Sequence, residues 1–142
     1  VLIATLLLTA CATGRPAPVD IRLGEDACAH CRMTVVSQKT AAQIVAPGAE
    51  PLMFDELGCL RNYLGEKPPG KDAVVFVADH RTGAWIDARQ AVFTRTGEQT
   101  PMGSGLVAHA DPSSRDADPA ALNGEPVATG FILRSPATGS AP

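Results

Sequence analysis

Aromatic side chains are scarce in this sequence, with one Trp, one Tyr and four Phe among 142 residues, and so it offers no platform on which bases or sugars could stack. Positive charge is scarce too. Lys and Arg number 12 against 15 Asp and Glu, a formal net charge of −3, and no basic block occurs. That balance lacks the electrostatic footprint of a nucleic-acid binder, so nucleic acid is excluded as a partner. No uncharged apolar run reaches the roughly 20 residues that a membrane-spanning helix needs. The 13 Gly and 12 Pro argue against a long helical bundle and for a single domain of short elements joined by many turns.

What is present begins with "VLIATLLLTAC" (1–11), which carries no charge and ends on Cys11. It is too short to span a bilayer and fits the apolar region of an export signal, so the start at Val1 is read as a signal that has lost its charged beginning. Leu8-Thr9-Ala10-Cys11 resembles the lipobox of bacterial lipoproteins, where the signal is cut before a cysteine that is then acylated. An ordinary signal with a chance cysteine is the alternative. Residues 1–10 are thus expected to be a truncated lipoprotein signal peptide and Cys11 a lipid anchor, because several acyl chains at about 0.8 kcal/mol per buried methylene hold a protein firmly on a membrane. Ala12 is not the aspartate that retains some lipoproteins in the inner membrane, which tilts the expectation toward the outer one.

Residues 11–26 read as the lipidated cysteine and a flexible tether, 27–135 as one domain, and 136–142 ("PATGSAP") as a disordered tail. Strands are expected at Thr34 to Val36, Ala42 to Ala46, Leu52 to Phe54 and Ala73 to Asp79. Between the last two, "DELGCLRNYLG" (55–65) predicts a helix, with Asp55 as N-cap, Leu57, Leu60 and Leu64 on one face, Gly65 as stop and Cys59 off the Leu stripe. Further on, 84–95 reads as one strand or two broken ones and 105–110 as another. Residues 111–124 read as a helix entry and short helix opened by Asp111 and Pro112, and 127–135 as a closing strand. Strand, strand, helix, strand occurs twice, so the expected fold is α+β, built of two consecutive ββαβ units.

The chemistry concentrates in "DACAHCRMTVV" (26–36). In an exported protein, thiols pair unless something occupies them, and with Cys11 set aside the remaining Cys28, Cys31 and Cys59 make an odd count. A haem attachment motif needs His where Arg32 stands. Structural zinc needs a closed set of ligands, and only Cys59, His80 and His109 are on offer downstream. A thioredoxin-like pair belongs at a helix start, which "MTVV" does not supply. A structural disulfide, Cys31 with Cys59 or Cys28 with Cys31, stands as the main competitor and leaves Met33 without a role. Soft sulfur ligands instead select Cu(I), and Cys28, Cys31 and Met33 place three of them on one short loop. Met102, in a turn between Pro101 and Gly103, is a further candidate ligand. His30, Cys59 and His109 are auxiliary candidates, although His109 at a strand end is expected on the surface. Met53, between Leu52 and Phe54, reads as core.

Taken in order, "LTAC" (8–11), "CAHCRM" (28–33), "AAQIV" (41–45), "FDELGCLRNYL" (54–64), "WIDARQAVF" (85–93) and "TPMGSGLVAHA" (100–110) resemble the NosL family, periplasmic lipoproteins that deliver copper to nitrous oxide reductase. The resemblance implies an α+β fold of two ββαβ halves and a Cu(I)-binding accessory protein rather than an enzyme. It also implies three partners: the reductase apoprotein, the membrane-bound machinery that assembles its copper sulfide centre, and a membrane reached through the lipid. The family motif often carries Gly where this chain has Arg32, a change expected to stiffen the loop. Two functions are carried forward, a Cu(I) chaperone and a periplasmic thiol-disulfide protein acting on client cysteines.

Overall fold

The strand Ala42–Val45 (β1) is buried along its whole length, because it is covered on both faces. Ala42 and Ile44 belong to the main core, whereas Val45 joins a smaller cluster with Val74 and Phe76. Gln43, fully buried, is held by the backbone of an incoming segment: Val19 N–H donates to its Oε1 at 2.9 Å and its Nε2 donates to Val19 O at 3.0 Å. Both polar ends are satisfied, which removes the desolvation cost of burying the amide. The computed structural model describes residues 14–134, so Cys11, the signal and the tail lie outside the described residues.

β1 pairs antiparallel with Leu52–Phe54 (β2) on one side and Val74–Ala78 (β3) on the other, and Trp85–Asp87 (β4) follows β3, giving a sheet in the order β2-β1-β3-β4. A second antiparallel sheet has Val92–Arg95 (β5) between Leu106–His109 (β6) and Glu125–Val127 (β7). The helix Leu57–Glu66 (α1) contacts β1, β2 and β6. Its Leu57, Leu60 and Leu64 are buried with Phe54, Val77, Phe93, Leu106 and Ile132. Each such leucine contributes about 1.5–3 kcal/mol relative to an exposed position.

Asp79 and Ala108 bridge the two sheets, and the buried Asp79 side chain holds the junction. Its Oδ1 accepts from the N–H groups of Arg81 and Thr82, both at 2.9 Å, and its Oδ2 from Ala110 N–H at 2.9 Å and Ser114 Oγ at 2.7 Å. Burial opposes ionisation of this carboxyl, but the four hydrogen bonds outweigh it and hold its pKa down at about 2.

Several sequence expectations are met. The 84–95 stretch is two strands, and they lie in different sheets. Asp111 caps Pro112–Asp116 (α2), accepting from Ser114 N–H, with Pro112 in the first turn. Five expectations are corrected. Thr34 to Val36 forms no named strand; Val36 N–H is taken by the Asp55 side chain at 3.0 Å, and Thr34 makes one isolated bridge to Ala27. Asp55 is therefore occupied and Glu56 is the N-cap of α1. Gly65 lies inside that helix, which runs on to Glu66. Among the described residues of the expected closing strand at 127–135, only Val127 is strand, and Thr129–Leu133 (α3) is helical. Helical winding lets Ile132 enter the core beside α1. The proposed tether is not free either, since Val19 and Ile21 pack on Val35, Ala41 and Met53, the last of these a core residue as its apolar neighbours predicted. No helix among the described residues is long and apolar enough to cross a membrane.

Candidate metal centre

Residues 26 to 35 fold back on themselves. Val35 N–H donates to Asp26 O at 2.8 Å, Cys28 N–H to Met33 O at 2.7 Å and Arg32 N–H to Cys28 O at 3.0 Å. Closing so tight a loop puts Arg32 at φ 69°, a left-handed conformation that costs a side chain about 1–2 kcal/mol relative to glycine. Cys28 bridges Met53, and Ala29 N–H donates to Met53 O at 2.8 Å. The loop is thereby pinned to β2, whose chain turns within two residues into α1.

That placement brings Cys28 and Cys31 up to Cys59 on the first turn of α1. The three Sγ atoms lie within 4.8 Å of one another, and all three thiols are free of disulfides. Cys28 and Cys59 are buried and Cys31 is half-buried. Cys59, an auxiliary candidate from sequence, is thus the third member of the cluster. Its thiol donates to the Cys28 sulfur, which draws the Cys28 pKa well below the usual thiol range against the opposing effect of burial; backbone hydrogen bonds from Asp55, Cys31 and His30 help. The same donation, reinforced by burial, pushes Cys59 up. The two shifts run in opposite directions, so Cys28 is the more acidic thiol of the pair. Burial, the Cys28 thiolate and Glu56 together raise Asp55, against the hydrogen bond from Val36.

The two methionines sit outside this buried cluster. Met33 is 58% exposed and Met102 50%, although large apolar side chains ordinarily avoid water. Met102 is tied to the helix that carries Cys59: the buried Glu56 carboxylate accepts Met102 N–H at 3.1 Å and Ser104 N–H at 3.4 Å. Gly58 makes this clasp possible, because a Cβ there would lie 2.4 Å from Glu56 Oε1 and 2.7 Å from Ser104 Cβ. His30, half-buried, lies on the loop between Cys28 and Cys31. Glu56 escaped sequence reasoning because a glutamate before a helix reads as an ordinary solvated residue.

His109 corrects its expectation. It is fully buried at the end of β6, and its Nε2 lies 2.9 Å from Asp118 Oδ2. His80 Nδ1 lies 2.7 Å from the same oxygen, so these residues form a second group, separate from the three thiols. Burial raises the Asp118 pKa, but hydrogen bonds from both rings and from Ala120 N–H prevail and bring it to about 2. Asp118 carried no sequence signal beyond that of a turn residue before Pro119.

The NosL family model matches residues 18–128, which is most of the chain, and the chain belongs to the NosL family. No significant match was found among curated proteins or solved structures. Family membership and the three-cysteine cluster together point to metal binding, with copper the metal indicated, in an accessory protein.

Proposed function

We propose that this NosL-family chain is a chaperone for Cu(I), held as cargo by Cys28, Cys31 and Cys59. One observation carries the reading: three sulfur atoms from two distant segments lie within 4.8 Å of one another. Thiolate donors favour Cu(I) over harder divalent ions, and low coordination leaves a position through which a second protein can take the ion. The half-exposed Cys31 is the side from which the ion enters and leaves. Met33 and Met102 are exposed thioethers on segments attached to the cluster, Met33 through its own loop and Met102 through Glu56, and they serve as capturing and releasing ligands.

The client is the nitrous oxide reductase apoprotein, reached with the membrane-bound machinery that builds its copper sulfide centre. The chain works in the periplasm, anchored at Cys11, in the outer membrane by preference. The arrangement of β5 between β6 and β7, like that of β1 between β2 and β3, supports descent of the two halves from one ββαβ unit.

The competing thiol-disulfide function draws on the same proximity, because thiols this close can also join. Anaerobic titration of the reduced full chain with Cu(I) against a chromophoric chelator separates the two. The chaperone reading requires one tightly held Cu(I) per chain, with binding weakened in Cys31→Ser and Cys59→Ser. A chain that takes up no Cu(I) and is isolated without air as a disulfide between two of these cysteines overturns it.

A further inference from the structure

We infer that His80, His109 and Asp118 form a second cation site, one for a divalent transition ion of the nitrogen- and oxygen-preferring class, such as Zn(II) or Cu(II). The inference is independent of the copper reading, since the two groups share no residue and differ in donor chemistry. Two imidazoles and a carboxylate are a common ligand set for such ions, whereas Cu(I) prefers sulfur.

The three side chains come from different parts of the fold: His80 follows β3, His109 ends β6, and Asp118 precedes the 3-10 turn Pro119–Ala121. His80 Nδ1 and His109 Nε2 converge on one carboxylate oxygen, Asp118 Oδ2. The other oxygen, Oδ1, accepts Ala120 N–H at 3.0 Å, which aims Oδ2 at the rings as an outer-shell hydrogen bond does in metal sites. A tetrahedral ion with bonds of about 2.0–2.1 Å keeps its ligand atoms about 3.3 Å apart, so each ring nitrogen would withdraw about half an ångström from Asp118 Oδ2, within a group whose ligand atoms already lie within 4.8 Å of one another.

Charge favours an ion there. Asp118 and the nearby Asp79 are both buried carboxylates, and the cation bonded at this junction is Arg81, through Ser114 on the Asp79 side. His109 Nδ1 is buried with no hydrogen-bond partner and stays without one when an ion binds at Nε2. Binding at His80 Nδ1 and His109 Nε2 needs the neutral rings in their other tautomers. The His80 proton then faces the more open side, but the His109 proton sits on the buried Nδ1, and that cost keeps the affinity modest. The His80 side chain is 18% exposed, which makes it the entry side and leaves room for water as a fourth ligand.

Cobalt(II) added to the reduced full chain tests the site, because its spectrum reports the donor atoms. The expected result is one ion bound at micromolar concentration with visible d–d bands that lack sulfur-to-metal charge transfer, in addition to any ion held by the thiols. Nitrogen-15 NMR is expected to show the ring nitrogens of His80 and His109, and not those of His30, shifting on addition of Zn(II). His80→Gln, at the more exposed position, is expected to weaken the sulfur-free component at least about tenfold while the sulfur component is unchanged. The site is refuted if cobalt shows sulfur charge transfer alone, if the two rings stay unshifted at saturating Zn(II), or if folded His80→Gln binds the sulfur-free ion as tightly as the parent.

Discussion

The thiol of Cys59, on the first turn of α1, donates its hydrogen to the sulfur of Cys28, on the loop pinned to β2. That donation lowers the Cys28 pKa and raises that of Cys59. Removing the donor in Cys59→Ala is expected to move Cys28 titration up toward the ordinary thiol range, read from ultraviolet thiolate absorbance against pH. Cys59→Ser, which keeps a donor, should restore much of the shift while still losing copper affinity. If the titration of Cys28 is the same in all three proteins, the effect of Cys59 on Cys28 is refuted.

Arg32 stands at φ 69° and its side chain is exposed, so backbone geometry dominates any substitution there. Arg32→Gly is expected to gain about 0.5–1 kcal/mol after allowing for the extra freedom of glycine in the unfolded chain. Arg32→Val, β-branched in a left-handed position, should lose about 1–2 kcal/mol. Urea denaturation of the metal-free chain measures both, and an unchanged midpoint for the pair would remove strain from the account of this loop.

Gly58→Ala places a methyl group against Glu56 and Ser104. Alanine normally favours a helix, yet here the clash is expected to cost about 1–3 kcal/mol. It should also loosen the amides of Met102 and Ser104, which hydrogen exchange detects. A stabilised variant with both amides still protected would show that the clasp is not under tension.

Stability in acid should depend on Asp79. Its folded pKa of about 2 lies below the reference value of 3.8, so the unfolded chain binds the proton first. The stabilisation is complete above about pH 4 and is lost as pH falls through about 2, an amount of about 2 kcal/mol. Asp79→Asn should lower stability at neutral pH and flatten that limb of the curve. Denaturation midpoints of the metal-free chain from pH 6 down to pH 2 provide the check, and parallel curves for parent and variant would count against it.

Met33→Leu and Met102→Leu exchange side chains of similar size at exposed positions, and each is expected to change stability by less than about 0.5 kcal/mol. Cu(I) transfer to a chelating acceptor should nonetheless slow in both. Stopped-flow measurements showing parental rates would assign the thioethers no part in exchange.

Much of this was readable along the chain because it depends on near neighbours. The α1 face of Leu57, Leu60 and Leu64 follows from spacing, the α2 start from Asp111 and Pro112, and the β3 run from consecutive apolar residues. The soft character of the loop follows from Cys28 and Cys31 alone. Each of these signals spans a few residues, the range over which backbone geometry is set by local sequence.

The rest was decided by contacts between distant segments. Cys59 joins the cluster only because β2 leads straight into α1 beside the pinned loop. Residues 129 to 133, apolar enough for a strand, wind into a helix because Ile132 has a core beside α1 to enter. His80 and Asp118, separated by 38 positions, meet only where the two sheets join. Side-chain types along the sequence state which atoms can bind an ion, whereas burial and mutual distance, which select the atoms that do, exist only once strands far apart in the chain have paired and closed their core.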